Sequence, residues 1–159
     1  MSKYEALYLE YLVYFNRDRD YFECHEVLEE LWLEQNKEPV YKGLLQVAVG
    51  MYHFRNQNIR GGYMMLESAV EILEKYPAQT LGIELELLVN TSRSLAEKLR
   101  NYDSHPTPYH DFTIVICDEE LEEAVRIKAQ EIKPNVPQRR SPTRGRIYEE
   151  RMKALGQNL

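Results

Sequence analysis

Apolar side chains recur along the first hundred residues at the three- and four-residue steps of an amphipathic helix. Polar, glycine-containing or proline-containing segments interrupt this pattern four times. We therefore expect five helices, at about residues 3–15, 21–35, 40–57, 62–76 and 80–102. Because their connections are short, sequential helices should be antiparallel neighbours. The pattern predicts an all-α fold: an antiparallel bundle of about five main helices with an irregular C-terminal extension.

Two of the connections carry residues typical of helix boundaries. The first is the polar segment NRDRD, which we expect to be a turn in which Asp18 or Asp20 caps the second helix. The second is residues 58–62, where Gly61 and Gly62 predict a tight turn with loose or left-handed backbone conformations.

The pattern changes after residue 103. HPTPYH at 105–110 is a break, FTIVI at 112–116 favours an extended segment, and a short helix is expected at 118–133. A Pro-, Ser- and Arg-rich linker then precedes a last polar helix near 145–155. We expect three parts: the bundle at 1–103, an extension packed on the bundle at 104–133, and a basic linker and tail helix at 134–159.

The strongest chemical signal is the segment FECHEVLEELW at residues 22–32. On a helix, its apolar residues form one broad arc, and His25 and Glu29 fall inside that arc one turn apart. Glu26 lies at the edge of the same arc. Because an unpaired buried charge costs several kcal/mol, these side chains need partners.

The partners are expected on the third helix, which is apolar in nearly every direction. One narrow stripe of small and polar residues follows it at three- and four-residue steps: Gly43, Gln46, Gly50, His53 and Gln57. Glycine has no side chain, so this stripe lets another backbone or a small ligand come close. Antiparallel packing of the second and third helices should bring His25, Glu26 and Glu29 towards Gln46 and His53.

A metal site is one interpretation of this cluster. His25, Glu29 and His53 would supply two imidazoles and a carboxylate, a set that suits a divalent ion such as zinc, manganese or iron. Against it, the third helix carries no acid, and HEVLE has Glu29 where the HExxH zinc motif requires a second histidine.

Metal-free acid–base or binding chemistry is a second interpretation, and it includes a hydrolase-like site. Its candidate catalytic residues are His25, Glu26 and Glu29, because buried imidazoles and carboxylates within reach of each other shift each other's pKa. The candidate ligand-binding residues are Gln46, His53, Glu23, Trp32 and Asn58.

A structural role is the third interpretation. A satisfied His–Glu–Gln network can tie two helices together and fix their register, with Trp32 covering it. The protein would then be a non-enzymatic interaction module, with the tail at 134–159 as its arm. The sequence leaves the three interpretations open, and with them the substrate, the cofactor and a homo-oligomer.

Charge and composition limit the classes of binding partner that the sequence predicts. The net charge is −6, yet residues 134–159 hold six basic and two acidic residues, a net charge of +4 that leaves −10 on the first 133 residues. An acidic body does not favour nucleic acid, so only the basic tail could bind one. No apolar run is long enough to span a membrane. Cys24 and Cys117 lack metal-type spacing and indicate reduced thiols in a cytoplasmic protein.

The segments FNRDRDYFECHEVLEELW and YKGLLQVAVGMYHFRNQNIRGG resemble a known family, the small prokaryotic helical proteins catalogued as domain of unknown function 309. The resemblance covers about residues 12–75 and implies an all-α bundle with no established activity. The family's signature falls on these residues: Asn16, Phe22, Glu23, His25, Glu26, Glu29, Trp32, Gly43, Gln46, His53, Asn58 and Gly61. Cys24 stands where the family usually has alanine, and Arg19 where it often has glycine; neither change should disturb a helix.

Overall fold

Six α-helices make up most of the computed structural model, which describes residues 3–134 and 137. They are α1 (Ala6–Val13), α2 (Tyr21–Glu34), α3 (Pro39–Arg55), α4 (Ile59–Leu73), α5 (Leu85–Arg100) and α6 (Glu119–Glu131). The part of the chain so described contains no β-strand, and none of its helices is long and apolar enough to cross a membrane. The predicted all-α bundle is confirmed.

α3 forms the centre of the bundle and packs against both α2 and α4. Its apolar residues cover nearly every direction, and most of them are fully buried. The helix begins at Pro39, whose fixed φ suits a first helical turn. Tyr11 ties α1 to this central helix by donating a 2.8 Å hydrogen bond to the Leu44 carbonyl oxygen.

The turn predicted for NRDRD is wrong in its first half. The chain leaves α1 through a π-helix, Tyr14–Asp18, and turns only at Arg19, which has a left-handed φ of 54°. Phe15 and Asp18, both within this π-helix, are buried. Asp20 then caps α2 by accepting a 3.1 Å hydrogen bond from the Glu23 amide.

The tight glycine turn predicted for residues 58–62 is also wrong. α4 already begins at Ile59, and Asn58 caps it by accepting a 2.9 Å hydrogen bond from the Gly61 amide at its Oδ1. The left-handed residue of this connection is Gln57, with a φ of 65°. Gly61 and Gly62 are helical, so they are needed for space and not for conformational freedom.

The glycines of the stripe on α3 leave the space in which α4 packs closely against it. A Cβ added to Gly43 would lie 2.6 Å from Leu73 Cδ2, and one added to Gly50 would lie 2.8 Å from Leu66 Cγ. Across the same contact, a Cβ on Gly62 would lie 3.5 Å from the Gly50 carbonyl oxygen. Separations below 3 Å are shorter than carbon atoms tolerate. The two helices can therefore approach this closely only because these positions carry no side chain.

An extended segment, residues 109–118, runs back across the bundle; we call it the strap. Asn16 pairs with it as a strand would, donating from Nδ2 to the Ile114 carbonyl and accepting from the Ile114 amide, both at 2.9 Å. Arg19 donates a 2.5 Å hydrogen bond to the Phe112 carbonyl. The π-helix therefore presents the polar side chains that hold the strap.

Further contacts hold the strap at both ends. Ile116 forms an isolated antiparallel bridge with Ile83, next to α5. At the other end, Tyr21 and Tyr109 both donate hydrogen bonds to Asp111, the former at 2.5 Å. The segment is extended as FTIVI predicted, and it lies against the π-helix, the start of α2 and the residues just before α5.

The short helix expected after residue 118 is present as α6, which packs on α1. Arg17 holds its end by donating a 2.8 Å hydrogen bond to the Ala129 carbonyl. The predicted linker and the tail helix near 145–155 lie outside the described residues, apart from Pro134 and Pro137. The division into parts at 103 and 133 stays a prediction.

The close contact of α3 and α4 predicts the effect of Gly50→Ala. Alanine normally stabilises a helix interior by about 1 kcal/mol relative to glycine. Here we expect the free energy of unfolding, measured by urea denaturation, to fall by about 1–3 kcal/mol, because the methyl group meets Leu66 and the Gly62 carbonyl. Gly62→Ala is a control with a smaller expected effect, because the atom nearest to its added Cβ, Leu99 Cδ1, lies at 3.2 Å. A stabilised Gly50→Ala would contradict this account.

The side-chain pairing at Asn16 predicts the effect of Asn16→Asp. Aspartate keeps the acceptor for the Ile114 amide but sets a second oxygen against the Ile114 carbonyl. We expect a loss of about 1–3 kcal/mol in the free energy of unfolding. Hydrogen exchange at residues 113–116 should accelerate more than exchange within α4. Asn101→Asp, at an exposed side chain that bonds only its own helix end, is the control.

Candidate functional site

The first part of the candidate site is an imidazole held between two carboxylates of α2. His25 is buried, with 2% of its surface exposed. Its Nδ1 lies 3.2 Å from Glu26 Oε1 and its Nε2 lies 3.4 Å from Glu29 Oε2. Both glutamate side chains are mostly covered, with 17% and 16% exposed. The expectation that His25 points into the core is confirmed.

Two contacts set the register of α2 against α3. The Phe22 and Tyr52 ring centroids lie 6.3 Å apart, and Lys42 Nζ lies 5.9 Å from the centroid of the Trp32 ring. The start of α2 therefore faces the end of α3, and the end of α2 faces the start of α3. The two helices are antiparallel neighbours, as the short connection predicted.

This register determines which polar residues share a height in the bundle. Gln46 of α3 comes level with the interval between His25 and Glu29. His53, two turns further along α3, comes level with the start of α2. Gln46 is 3% exposed and His53 is 9% exposed. We call the set His25, Glu26, Glu29, Trp32, Gln46 and His53 the polar seam.

The polar seam concentrates buried polar atoms that lack a hydrogen-bond partner within the described chain. Among them are Trp32 Nε1, Gln46 Oε1 and His53 Nε2, whereas His25 Nε2 has its ion-pair contact with Glu29 at 3.4 Å. Each buried polar atom left in this state costs about 1–3 kcal/mol, and folded proteins rarely retain several together. The concentration at one interface distinguishes the polar seam from the apolar core around it.

Burial controls the charge of His53. It lowers the pKa of the imidazole from 6.5 to about 4, since the charged form loses its hydration there. His53 is therefore neutral at neutral pH. Its Nδ1 lies 3.3 Å from the side-chain nitrogen of Asn58.

The structure places the other candidate ligand-binding residues differently. Glu23 lies on the α1 side of α2: burial raises the pKa of Glu10, and the charge of Glu23 adds to that rise. Asn58 is exposed and its amide is engaged in capping α4. Trp32 is half-buried, and its ring receives Lys37 and Lys42 at 5.7 and 5.9 Å. Of these three, only Trp32 belongs to the polar seam.

The metal interpretation finds no preassembled ligand set. Within residues 3–134, no group of three or more His, Cys, Asp or Glu side chains is arranged to hold a metal ion. His25, Glu29 and His53 are therefore not gathered around one point, since His53 lies two turns of α3 beyond Gln46. A divalent metal at this site stays a prediction.

An open cavity of about 720 Å³ lies elsewhere, between the end of α5 and the segment that follows it. Its polar lining includes Ser94, Lys98, Asn101 and His105, and it contains none of the residues predicted from the sequence. Within the polar seam, Glu26, Glu29 and Trp32 are half-buried, and the other three residues are buried.

Comparisons with known proteins place the chain in a family. The family model described as Domain of unknown function (DUF309) matches residues 8–65, a range that contains every predicted site residue. "Uncharacterized protein YpuF" of Bacillus subtilis (strain 168) is 36% identical over 135 residues, which cover 82% of this chain and 75% of the relative. The chain belongs to the DUF309 family. The resemblance inferred from FECHEVLEELW is thus confirmed.

A second relative of this DUF309 protein is an "Uncharacterized protein" of Aquifex aeolicus (strain VF5), 32% identical over 69 residues. The match covers 42% of this chain and 21% of the relative, so the chain spans about a fifth of that longer protein. No solved structure matches the chain. Both relatives are named only as uncharacterized proteins, so neither name assigns an activity. The function must therefore be inferred from the polar seam.

The buried neutral state of His53 predicts a specific dependence of stability on pH. Because the unfolded imidazole binds a proton at higher pH than the folded one, stability is lost as the pH falls from 6.5 towards 4. From pH 7 to pH 4, His53 should remove about 3 kcal/mol of unfolding free energy. Glutamine does not titrate, so between pH 7 and pH 4 the His53→Gln variant should lose about 3 kcal/mol less unfolding free energy than the wild-type protein. An NMR titration that gives His53 a pKa near 6.5 would contradict the assignment.

Proposed function

We propose that the polar seam binds a small polar ligand. The observation that carries the proposal is the set of buried polar atoms on Trp32, Gln46 and His53 that have no hydrogen-bond partner among the residues that the structure describes. An apolar core would avoid the cost of such atoms, and proteins retain groups of this kind chiefly where a ligand or a reaction uses them. A ligand that supplied the missing hydrogen bonds would recover that cost on binding.

The neighbouring groups give the ligand an environment suited to proton transfer. Glu26 and Glu29 lie on either side of the His25 ring, so the imidazole has a carboxylate within reach of each nitrogen. One of these carboxylates can act as a base while the imidazole acts as an acid. We propose a hydrolase-like acid–base step as the reaction that this arrangement can support.

The rival function is an interaction module in which the polar seam only fixes the packing of α2 on α3. A network that merely fixes register should be closed by its own hydrogen bonds, because each open bond weakens it. The unpartnered atoms of Gln46 and His53 favour the ligand-binding function over this alternative. A cytoplasmic location, a protein partner and a homo-oligomer stay predictions of the sequence.

The test is an NMR titration of the full chain with three small probes of different chemistry: acetamide, acetate and ethylammonium. We expect at least one probe to shift the side-chain resonances of Gln46, His53 and Trp32 more than those of the α5 surface. Glu29→Gln should change the affinity for that probe by tenfold or more, about 1.4 kcal/mol, because it removes a charge from the polar seam: ethylammonium should bind more weakly and acetate more tightly. Glu30→Gln removes the same charge from the exposed side of α2 and should leave binding unchanged.

Stability measurements separate the two functions. If no probe acts on the polar seam while Glu29→Gln and His25→Ala only lower the free energy of unfolding, the interaction module is correct and the ligand site is not. Titration with Zn²⁺ and Mn²⁺ under the same conditions tests the metal interpretation. A saturable change in the NMR chemical shifts of both His25 and His53 would support a metal site.

A further inference from the structure

The connection between α3 and α4 fixes the orientation of the Asn58 amide. Its Oδ1 accepts a 2.9 Å hydrogen bond from the Gly61 amide, which is one of the unpaired donors at the start of α4. A reversed amide would set its NH₂ against this N–H, donor against donor. The nitrogen of the Asn58 side chain must therefore be the atom that faces His53.

This orientation in turn selects the tautomer of His53. The Asn58 Nδ2 is a donor and lies 3.3 Å from His53 Nδ1, so Nδ1 must be the unprotonated, accepting nitrogen. A neutral imidazole carries one proton, which is then on Nε2. That atom is buried and has no hydrogen-bond partner among the described residues. His53 therefore presents an N–H donor to the polar seam.

Gly61 makes this arrangement possible. A Cβ added to Gly61 would lie 2.5 Å from Asn58 Nδ2 and 2.8 Å from Asn58 Cγ, so any larger residue would displace the capping side chain. The absence of a side chain at position 61 thus keeps the Asn58 amide between the Gly61 amide and the His53 ring.

We propose that Asn58 and Gly61 are positioning residues that hold His53 as the Nε2–H tautomer, so that the polar seam takes a small neutral amide or urea-type ligand. The ligand class rests on the function proposed above. The ligand's carbonyl oxygen accepts from His53 Nε2–H, the buried donor that has no partner among the described residues. The carboxylates of Glu26 and Glu29 disfavour an anion in the same place.

The positioning role is tested on the free protein by ¹⁵N NMR of the His53 ring. In the wild-type protein at pH 7, we expect Nδ1 unprotonated and Nε2 protonated. Asn58→Asp keeps a capping oxygen for the Gly61 amide but turns a second oxygen towards His53, so Nδ1 should become protonated. Asn56→Asp introduces the same charge two residues away, at an exposed position, and should leave the ring unchanged.

Gly61→Ala provides an independent variant. It should abolish the nuclear Overhauser contact between the Asn58 amide and His53 and allow both tautomers to appear. Circular dichroism confirms that each variant is folded before its ring is assigned. The role of Asn58 is overturned if the wild-type protein holds the Nδ1–H tautomer, or if Asn58→Asp leaves the protonation of the His53 ring nitrogens unchanged.

The ligand class is tested separately with acetamide and acetate. We expect acetamide to shift the His53 Nε2 resonance at concentrations at which acetate does not, and we expect Asn58→Asp to weaken acetamide binding by tenfold or more. If acetate binds the polar seam instead, the ligand class is wrong while the proposed site stands. If neither acetamide, acetate nor ethylammonium acts there, the proposed function fails, and the tautomer measurement alone decides the role of Asn58.

Discussion

The close contact of α3 with α4 is the constraint on which the rest of this structure depends. Gly43 and Gly50 bring the two helices together at separations that no Cβ would permit. The same approach positions the short connection in which Asn58 caps α4 and reaches His53. Gln46 and His53 belong to the same stripe of α3 as these glycines and are buried with them. The arrangement of the polar seam thus follows from the absence of side chains elsewhere on the same helix.

The polar seam works against the stability of the bundle that contains it. Trp32, Gln46 and His53 each bury a polar atom that finds no partner in the described part of the chain, and each such atom costs free energy that an apolar residue would not. Burial also forces His53 to stay neutral at neutral pH. A fold that tolerates such costs needs compensation, and the large aromatic and aliphatic core around α3 supplies it. Local costs in stability of this kind are common at sites that bind ligands or catalyse reactions.

The polar seam lies wholly within the segment that the DUF309 family model matches, whereas the strap and α6 lie beyond it. The π-helix Tyr14–Asp18 links the two regions. Its Asn16 side chain replaces a strand partner for Ile114, so a residue of the matched segment holds a part of the chain outside it. Through Tyr21 and Asp111, the strap also reaches the start of α2, close to the height of His53.

From the amino-acid pattern alone one obtains the all-α fold and the candidate residues His25 and Glu29, because helical periodicity places both on an apolar face. It also gave the antiparallel order of α2 and α3, since their connection is too short for any other. Only the tertiary structure decided what the glycines do: periodicity cannot show that α4 fills the space at Gly50, or that Gly61 makes room for a capping side chain. Likewise, only packing shows that Glu23 lies on the α1 side of α2 and that Asn58 caps α4. Such roles depend on contacts between distant segments, and no local pattern encodes those contacts.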